Sequence, residues 1–583
     1  MDSLDRISLI LNCTAAVEST PALGWIAPSR LHIPGAEVEP VLQIGNDDLE
    51  RSKESNPGRA PQLFLRCILI GSLLIVLVSY LFGLLDLTRK NYGEGGVLAV
   101  VERMRREPVS SSWLSGSEIT LCNYGPGFHW AVLALSPMTP WDHTLLPGRL
   151  LSFGSVLATA MLIAVFVGRR TGKLEVGLVS SLLFLTSPYT SVWAIRHNVD
   201  GLALLFSMAA YLAVGLKRRG IVGSAFLIAI GSLVKQTVAL SALAIFAHLL
   251  LCRRYKDALI YSAAVSSLGG IFWLVLNWTS GGYFFASAVA GNLMPMSFSS
   301  GLSMTHVFLL LPVSLAAVIV IAVAFVRGAA VLRSLYCLAF CVSVLIASQL
   351  ASKVGSDTNY FLEATALAAV VIGLDGLLPL WTSHPRRAGL VLGAVTLALI
   401  LPTLRHLGDT PDRWRHFLLR DPELSDLVGQ KTGKPVLVDG EHIDLLFRAG
   451  YRPVVNDPLQ FWLLAEKGTV QLASVLDAVQ RGDVPYLVLA HPIQWHRERL
   501  GMDGFLASRN PGCHGSTLQT RVDSRRTVRL RVLGYAWNLE DRERSNAFGR
   551  PVRFAVVTFT LGPSLEPTCH ARFHPSPGRA AVL

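Results

Sequence analysis

The stretch Lys353-Val-Gly-Ser-Asp357-Thr-Asn359-Tyr360-Phe-Leu-Glu363 sets a base, two acids and an amide in one short loop between apolar runs at 334–350 and 364–380. A charge at a transmembrane helix centre costs about 2.5–3.5 kcal/mol, so such a cluster marks a functional site unless the loop is only a solvated turn. Arg196 and Asp200 are four apart and share a face if helical, either as an ion pair or with Asp200 holding Arg196 for an anion. Lys235, beside Gln236, is flanked by apolar residues and needs an anion or a snorkelling path to the interface. Tyr92-Gly93-Glu94-Gly95-Gly96 places a carboxylate among glycines, where backbone can approach a bound group and Glu94 could take a proton from a hydroxyl; otherwise Glu94 is an exposed turn acid. Asp86 competes for the role of base, or simply ends the first apolar run at headgroup level. Asn277, Tyr283 and Asn292 add polar groups to the loop before the Lys353 stretch. Cations with amide donors suit a phosphate or diphosphate, and a carboxylate beside them suits acid–base chemistry on a hydroxyl. No Walker loop, HExxH, GxSxG or GxGxxG pattern competes with that chemistry.

The elements that must position these groups are membrane spans. The chain has 583 residues, is 51% hydrophobic and only 16% charged, which predicts a polytopic α-helical membrane protein. The first apolar run, 65–85, is of crossing length, and further runs at 150–167, 176–195, 202–214, 222–233, 238–251, 259–276, 307–326, 334–350, 361–380 and 388–404 give about eleven crossings, several middle ones short enough to be broken or re-entrant. The net charge of +12 sits in clusters on every second connection, at Arg169-Arg170-Lys173, Lys217-Arg218-Arg219, Arg253-Arg254-Lys256, Arg327 with Arg333, and Arg386-Arg387. The positive-inside bias then places those loops and the N-terminus in the cytoplasm, and every candidate site residue on the opposite face. Residues 1–62 read as a cytoplasmic, poorly ordered leader, 63–405 as the transmembrane domain with a large outer loop at 86–147, and 406–583 as an extracytoplasmic region. Within that outer loop, 97–104 has helical periodicity and could lie along the interface. Strands at 436–439, 453–456 and 485–490, with helical segments at 443–449 and 463–479, predict a small C-terminal α/β domain; 526–533 and 552–560 are further strand candidates in an irregular tail. Cys513 and Cys569 could pair there, while Asn12 and Asn277 match the glycosylation pattern by chance.

Taken in order, Tyr92-Gly-Glu-Gly, Tyr124-Gly125-Pro126, Gly148-Arg149-Leu-Leu-Ser152, Arg196-x-x-x-Asp200, Lys235-Gln236, Thr279-x-Gly-Gly and Lys353-Val-Gly-x-Asp357-x-Asn359-Tyr-Phe-Leu-Glu363 resemble the GT-C membrane glycosyltransferases, and within them the protein-mannosyltransferase-like and aminoarabinose-transferase-like group. The resemblance covers roughly residues 60–405. It implies an inverting transferase that takes a sugar from a polyprenyl-phosphate donor to an extracytoplasmic hydroxyl of a glycan, lipid or protein, at the cytoplasmic membrane. It also implies a base in the first outer loop and basic residues on the lipid phosphate. Relatives carry an Asp-Glu pair in that loop. Here the position reads Gly93-Glu94, so the base falls to Glu94 or Asp86. Arg196, Lys235 and Lys353 would then bind the phosphate, with Tyr92, Asp200, Gln236, Asn292, Asp357, Asn359, Tyr360 and Glu363 lining the substrate site. Metal dependence varies among such relatives, so a divalent cation stays open, and no ligand cluster in the sequence claims one.

Two other readings use the same charges. A transporter or lipid flippase would carry repeat symmetry and charges through the depth of its spans; no repeat is evident and the charges gather on one face. An inactive relative that binds sugar lipids would keep the cations and lose the base.

Overall fold

The computed structural model describes residues 59–85, 92–115, 118–138 and 145–383 with short breaks, helical residues within 389–401, and separate stretches after 434. The expected leader falls almost wholly outside the described residues, as do Asp86, Cys513, Cys569 and most of the two helical segments expected at 443–449 and 463–479.

In chain order the helices are α1 (Arg59–Leu85), α2 (Tyr92–Arg106), α3 (Gly127–Leu135), α4 (Leu146–Thr171), α5 (Leu174–Leu185), α6 (Pro188–Trp193), α7 (Asp200–Ala213), α8 (Lys217–Val234), α9 (Val238–Leu251), α10 (Tyr255–Thr279), α11 (Phe298–Leu310), α12 (Pro312–Val326), α13 (Leu335–Ala351), α14 (Leu362–Val371) and α15 (Leu378–Ser383). Among the described residues four helices are long and apolar enough to cross a membrane: Leu63–Leu85, Leu146–Thr171, Tyr255–Thr279 and Thr358–Leu380. The pair α11 and α12 makes a fifth if its 79° bend is allowed. The chain is therefore a multi-pass membrane protein built of helices.

Local chemistry explains where helices stop. Pro312 has no N–H to offer the preceding turn and pushes Leu311 into an extended conformation (ψ 139°), so the run expected as one span at 307–326 is broken. Pro188 divides the run expected at 176–195 into α5 and α6 in the same way. The end of α4 is capped by Gly172 at φ +64°, a left-handed position that costs glycine nothing.

At the centre of the bundle stands α14. Ala364, Ala366, Leu367, Ala368, Ala369, Val370 and Val371 are all fully buried, and the small side chains let α4, α5, α7, α12 and α13 pack around it. By contrast α10 is peripheral, with Leu274 and Trp278 turned outward as a lipid-facing surface would require.

The outer-loop helix α2 departs from expectation. Its apolar residues do not face an interface. Val97 and Val101 join the main core, and Val100 packs with Trp113, Cys122, Tyr283 and Phe284.

Among the described residues after the helices, seven strands pair in the order β2-β1-β3-β7-β6-β5-β4. β1 (Pro435–Val438) pairs in parallel with β2 (Arg452–Pro453) and β3 (Tyr486–Leu489). β4 (Arg521–Val522), β5 (Thr527–Val532), β6 (Tyr535–Ser545) and β7 (Pro551–Thr560) extend it antiparallel. The strands expected at 436–439, 485–490, 526–533 and 552–560 overlap β1, β3, β5 and β7, that at 453–456 meets β2 only at Pro453, and β6, whose Tyr535, Trp537 and Leu539 alternate before a charged second half, is unexpected.

Candidate functional site

A cleft of about 500 Å³, counting its open mouth, lies between α7, α9, α13 and α14. Its head is polar and its flank aliphatic, with Leu204, Leu240, Ile346, Ala347 and Leu350 on the wall. At the head, Lys235 Nζ donates to Asp200 Oδ1 at 2.5 Å, and Asn359 Nδ2 donates to both oxygens of Asp200 at 3.1 Å. Burial alone would lower the Lys235 ammonium; the Asp200 carboxylate and the Tyr360 hydroxyl outweigh it and raise the group. Lys235 and Lys353 stand 4.5 and 5.8 Å from the Tyr360 ring centroid. Deeper along α14, Tyr211 and Ser241 donate to the two oxygens of Glu363 at 2.8 and 2.6 Å.

Lys353 is held from the other side by an amide cluster. Its ammonium donates to Asn292 Oδ1 at 2.9 Å and meets no carboxylate among the described residues. Asn292 and Gln236 both donate to the carbonyls of Asn123 and Ala288, at 2.8–3.0 Å. The 123–126 turn reaches this position because Gly125 lies against the end of α8: a Cβ there would sit 1.9 Å from the Leu233 carbonyl. The segment 452–461 locks the turn from outside. Ile119 forms a parallel bridge with Val455, Asn456 accepts the Leu121 N–H at 2.7 Å and donates to the carbonyls of Gly96 and Leu121, and Asn123 Nδ2 donates to Asp457 Oδ2 at 3.1 Å. Tyr124, half-buried near Asp200, Tyr360 and Asp457, has its hydroxyl pushed well up, by desolvation first and those charges second.

Glu94 occupies a different place. It lies in the first turn of α2, 1% exposed, and Arg149 grips it as a fork: Nε to Oε1 at 2.9 Å and Nη2 to Oε2 at 3.0 Å. The His197 N–H adds a third bond to Oε1 at 2.6 Å. Arg149 Nη1 also reaches the Leu84 carbonyl at 3.4 Å. This pair therefore ties the end of α1, α2 and α4 to the turn that precedes Asp200. His197 is buried against Gly148, where a Cβ would fall 2.3 Å from Nδ1, and burial lowers its imidazole to about 4.

The structure thus brings Asp200, Lys235, Asn359, Tyr360 and Glu363 to one cleft; Lys353 faces the Tyr360 ring and donates to Asn292, which shares its carbonyl acceptors with Gln236. Two expectations are corrected. Glu94 is not an exposed turn acid and does not line the cleft; Gly96 serves packing, since a Cβ there would lie 3.3 Å from the Asn456 carbonyl. Arg196 and Asp200 share no helix, because α7 starts at Asp200, and Asp200 takes Lys235 instead. Arg196 stacks on Trp193 at 4.4 Å with Nη1 buried and unpaired, and burial lowers its guanidinium. Gly355 at φ +77° turns the loop and Asp357 caps the following turn through the Thr358 N–H, so Lys353 and Asp357 share no helix, whereas Asn359 and Glu363 lie on the continuous helical run Thr358–Leu380 and both line the cleft. Tyr92 opens α2, its side chain outside the described residues.

Residues that sequence reasoning left without a role are Asn123, Tyr124, Arg149, Asn456, Asp457 and Gln460. An arginine at the head of an apolar run was a readable signal for Arg149. The 456–460 residues come from beyond the spans, and nothing local links them to the first loop. Asn277, read as a chance sequon, accepts the Phe285 N–H at 3.0 Å. Among the described residues no group of His, Cys, Asp or Glu could hold a metal ion.

The helix bundle with this buried polar cleft shares its fold with solved membrane-protein structures. The chain is similar to ArnT from Cupriavidus metallidurans bound to undecaprenyl phosphate, at a TM-score of 0.53 and 11% identity over 84% of this chain and 97% of that one. The apo state of the same ArnT gives 0.52 and 11% over 83% and 97%. The oligosaccharyltransferase AglB from Archaeoglobus fulgidus, in complex with an inhibitory peptide and a dolichol-phosphate, gives 0.47 and 10% over 73% and 70%. No family model and no curated protein matches the sequence.

Proposed function

We propose that the protein transfers a sugar from a polyprenyl-phosphate donor to a hydroxyl of a glycan, lipid or protein on the extracytoplasmic face of the cytoplasmic membrane, with its N-terminus inside and residues 406–583 outside. The observation that carries this reading is Lys235 and Lys353 against Tyr360 at the head of a cleft with an aliphatic wall. An amphiphile with an anionic head and a hydrocarbon tail fits such a surface. The fold shared with ArnT, whose structure holds undecaprenyl phosphate, supports it.

In this reading the acceptor oxygen bonds to the anomeric carbon as the bond from that carbon to the phosphate oxygen breaks. The electron pair leaves on the phosphate, where Lys235, Lys353 and Arg196 offset the charge. A carboxylate takes the hydroxyl proton, and one displacement inverts the anomeric centre. We assign the base to Asp86, because both Glu94 oxygens already accept hydrogen bonds and Arg149 anchors the Leu84 carbonyl two residues earlier. Asp200 orders Lys235, and Asn359, Tyr360 and Glu363 orient the donor, with Asp357 and Tyr92 at its margin.

Mass spectrometry of cell-envelope glycans and glycoproteins, with and without the gene, tests the proposal. A sugar missing from the deletion strain, restored by the wild-type gene but not by Lys353→Ala or Asp86→Asn, is the expected result. Unchanged glycans, together with no transfer by purified protein from any polyprenyl-phosphate sugar offered, would sink it.

A further inference from the structure

Four carboxamides form a cluster that meets the head of the cleft through Lys353, which donates to Asn292 and faces Tyr360, and their orientation is fixed by what they donate to. Gln236 and Asn292 each give their NH2 to the carbonyls of Asn123 and Ala288. Asn123 gives its NH2 to the Asp457 carboxylate, and Gln460 gives its own to the Ser287 carbonyl at 3.4 Å. Carbonyls and carboxylates only accept, so none of these amides can be turned round. Each amide oxygen must therefore point away from its anchor. Asn292 Oδ1 finds the Lys353 ammonium. The other three, Asn123 Oδ1, Gln236 Oε1 and Gln460 Oε1, are buried with no donor. Buried acceptors are rarely left unpaired, and three in one hydrogen-bonded cluster beside Lys353, which shares the Tyr360 ring with Lys235, need donors from outside the chain.

We propose that Asn123, Gln236 and Gln460 form the sugar subsite: a wall of neutral acceptors that receives the hydroxyls of an uncharged sugar while Lys235 and Lys353 hold its phosphate. This rests on the glycosyl-transfer reading and names the substrate class within it. Acceptor-only groups suit a ligand rich in hydroxyl donors and disfavour a uronic acid, whose carboxylate would meet three oxygens. Asp457 is a positioning residue here. Its two oxygens accept from Asn123 Nδ2 and the Gln460 backbone N–H at 3.1 and 3.0 Å, so one carboxylate from beyond the spans aims the Asn123 amide and holds the backbone that carries Gln460. Gly291 makes room for the Gln460 side chain, since a Cβ there would lie 2.3 Å from its Nε2.

The test compares binding of two probes to full-length protein in nanodiscs: undecaprenyl phosphate, and the same lipid carrying a neutral hexose. Wild type is expected to prefer the hexosyl lipid. Asn123→Ala, Gln236→Ala and Gln460→Ala should each cut that preference about fivefold to tenfold, as loss of one hydrogen bond predicts, and leave the bare lipid within about twofold. Asp457→Leu should cut the preference without touching the bare lipid, and Lys353→Ala should weaken both probes together. Retained binding of the bare lipid shows that a variant is folded. A hexosyl preference unchanged in all three amide variants would overturn the subsite, as would a stronger preference for a uronosyl lipid. Failure of wild type to bind either lipid would instead overturn the glycosyl-transfer reading itself.

Discussion

Arg149 and Glu94 are the pair on which the outer end of the bundle closes. Two charges removed from water are costly, and breaking such a pair by removing one partner costs roughly 3–5 kcal/mol because the other is stranded. Arg149→Met and Glu94→Leu should each lower the melting temperature in detergent sharply, and the double variant should recover part of the loss. Glu94→Gln separates two roles. If Glu94 positions, the glutamine sets an NH2 against Arg149 or the His197 N–H and the melting temperature drops along with activity. Full stability with transfer abolished would make Glu94 the base after all. Buried His129 and His197 add a pH dependence. Burial lowers them from an ordinary 6.5 to about 3 and about 4, so between those values and 6.5 the unfolded chain binds more protons than the folded one. Their contribution is complete above pH 6.5 and is lost as pH falls, by about 1.4 kcal/mol per pH unit for each histidine. A melting series from pH 7.5 to 4.5 measures the slope, and His129→Leu should remove about half of it.

The segment 452–461 matters at the scale of elements. It adds a short parallel bridge to Ile119, buries Val454 and Val455 with Leu121 and Phe461, and binds Glu118 through Arg452 at 3.2 Å. Its chief link is Asn456, whose side chain satisfies the N–H and C=O of Leu121 and the Gly96 carbonyl. Asn456→Ala leaves those buried backbone groups unpaired, at about 1–3 kcal/mol each. Hydrogen exchange at 119–124 should then quicken well ahead of exchange in α4 or α14. Equal protection in the variant would mean that the first loop holds its shape without the later segment.

For the molecule as a whole, membrane orientation is the open test. The proposed orientation, with the positive clusters in the cytoplasm, requires Asp357 outside and Arg254 inside. In a cysteine-replaced background, Asp357→Cys should react with a membrane-impermeant maleimide on intact spheroplasts, and Arg254→Cys only after permeabilisation. The reverse pattern would put the cleft on the cytoplasmic face and remove its access to an outer acceptor.

Local pattern was enough to mark α9 at its true bounds, to find α4, α8, α10 and α13 within a few residues, and to select Lys235, Gln236, Asn292, Lys353 and Asn359 as polar groups that an apolar setting must explain. Hydropathy and the cost of charge act residue by residue, so they can be read from a string. What surrounds each charge cannot. Asp200 pairs with Lys235 and not with its neighbour Arg196, Glu94 with Arg149, and Asn123 with Asp457, separations of tens to hundreds of residues. Each choice follows from close packing: a glycine at 125 or 148 admits a neighbour that any side chain would exclude, and only the assembled bundle decides which neighbour that is.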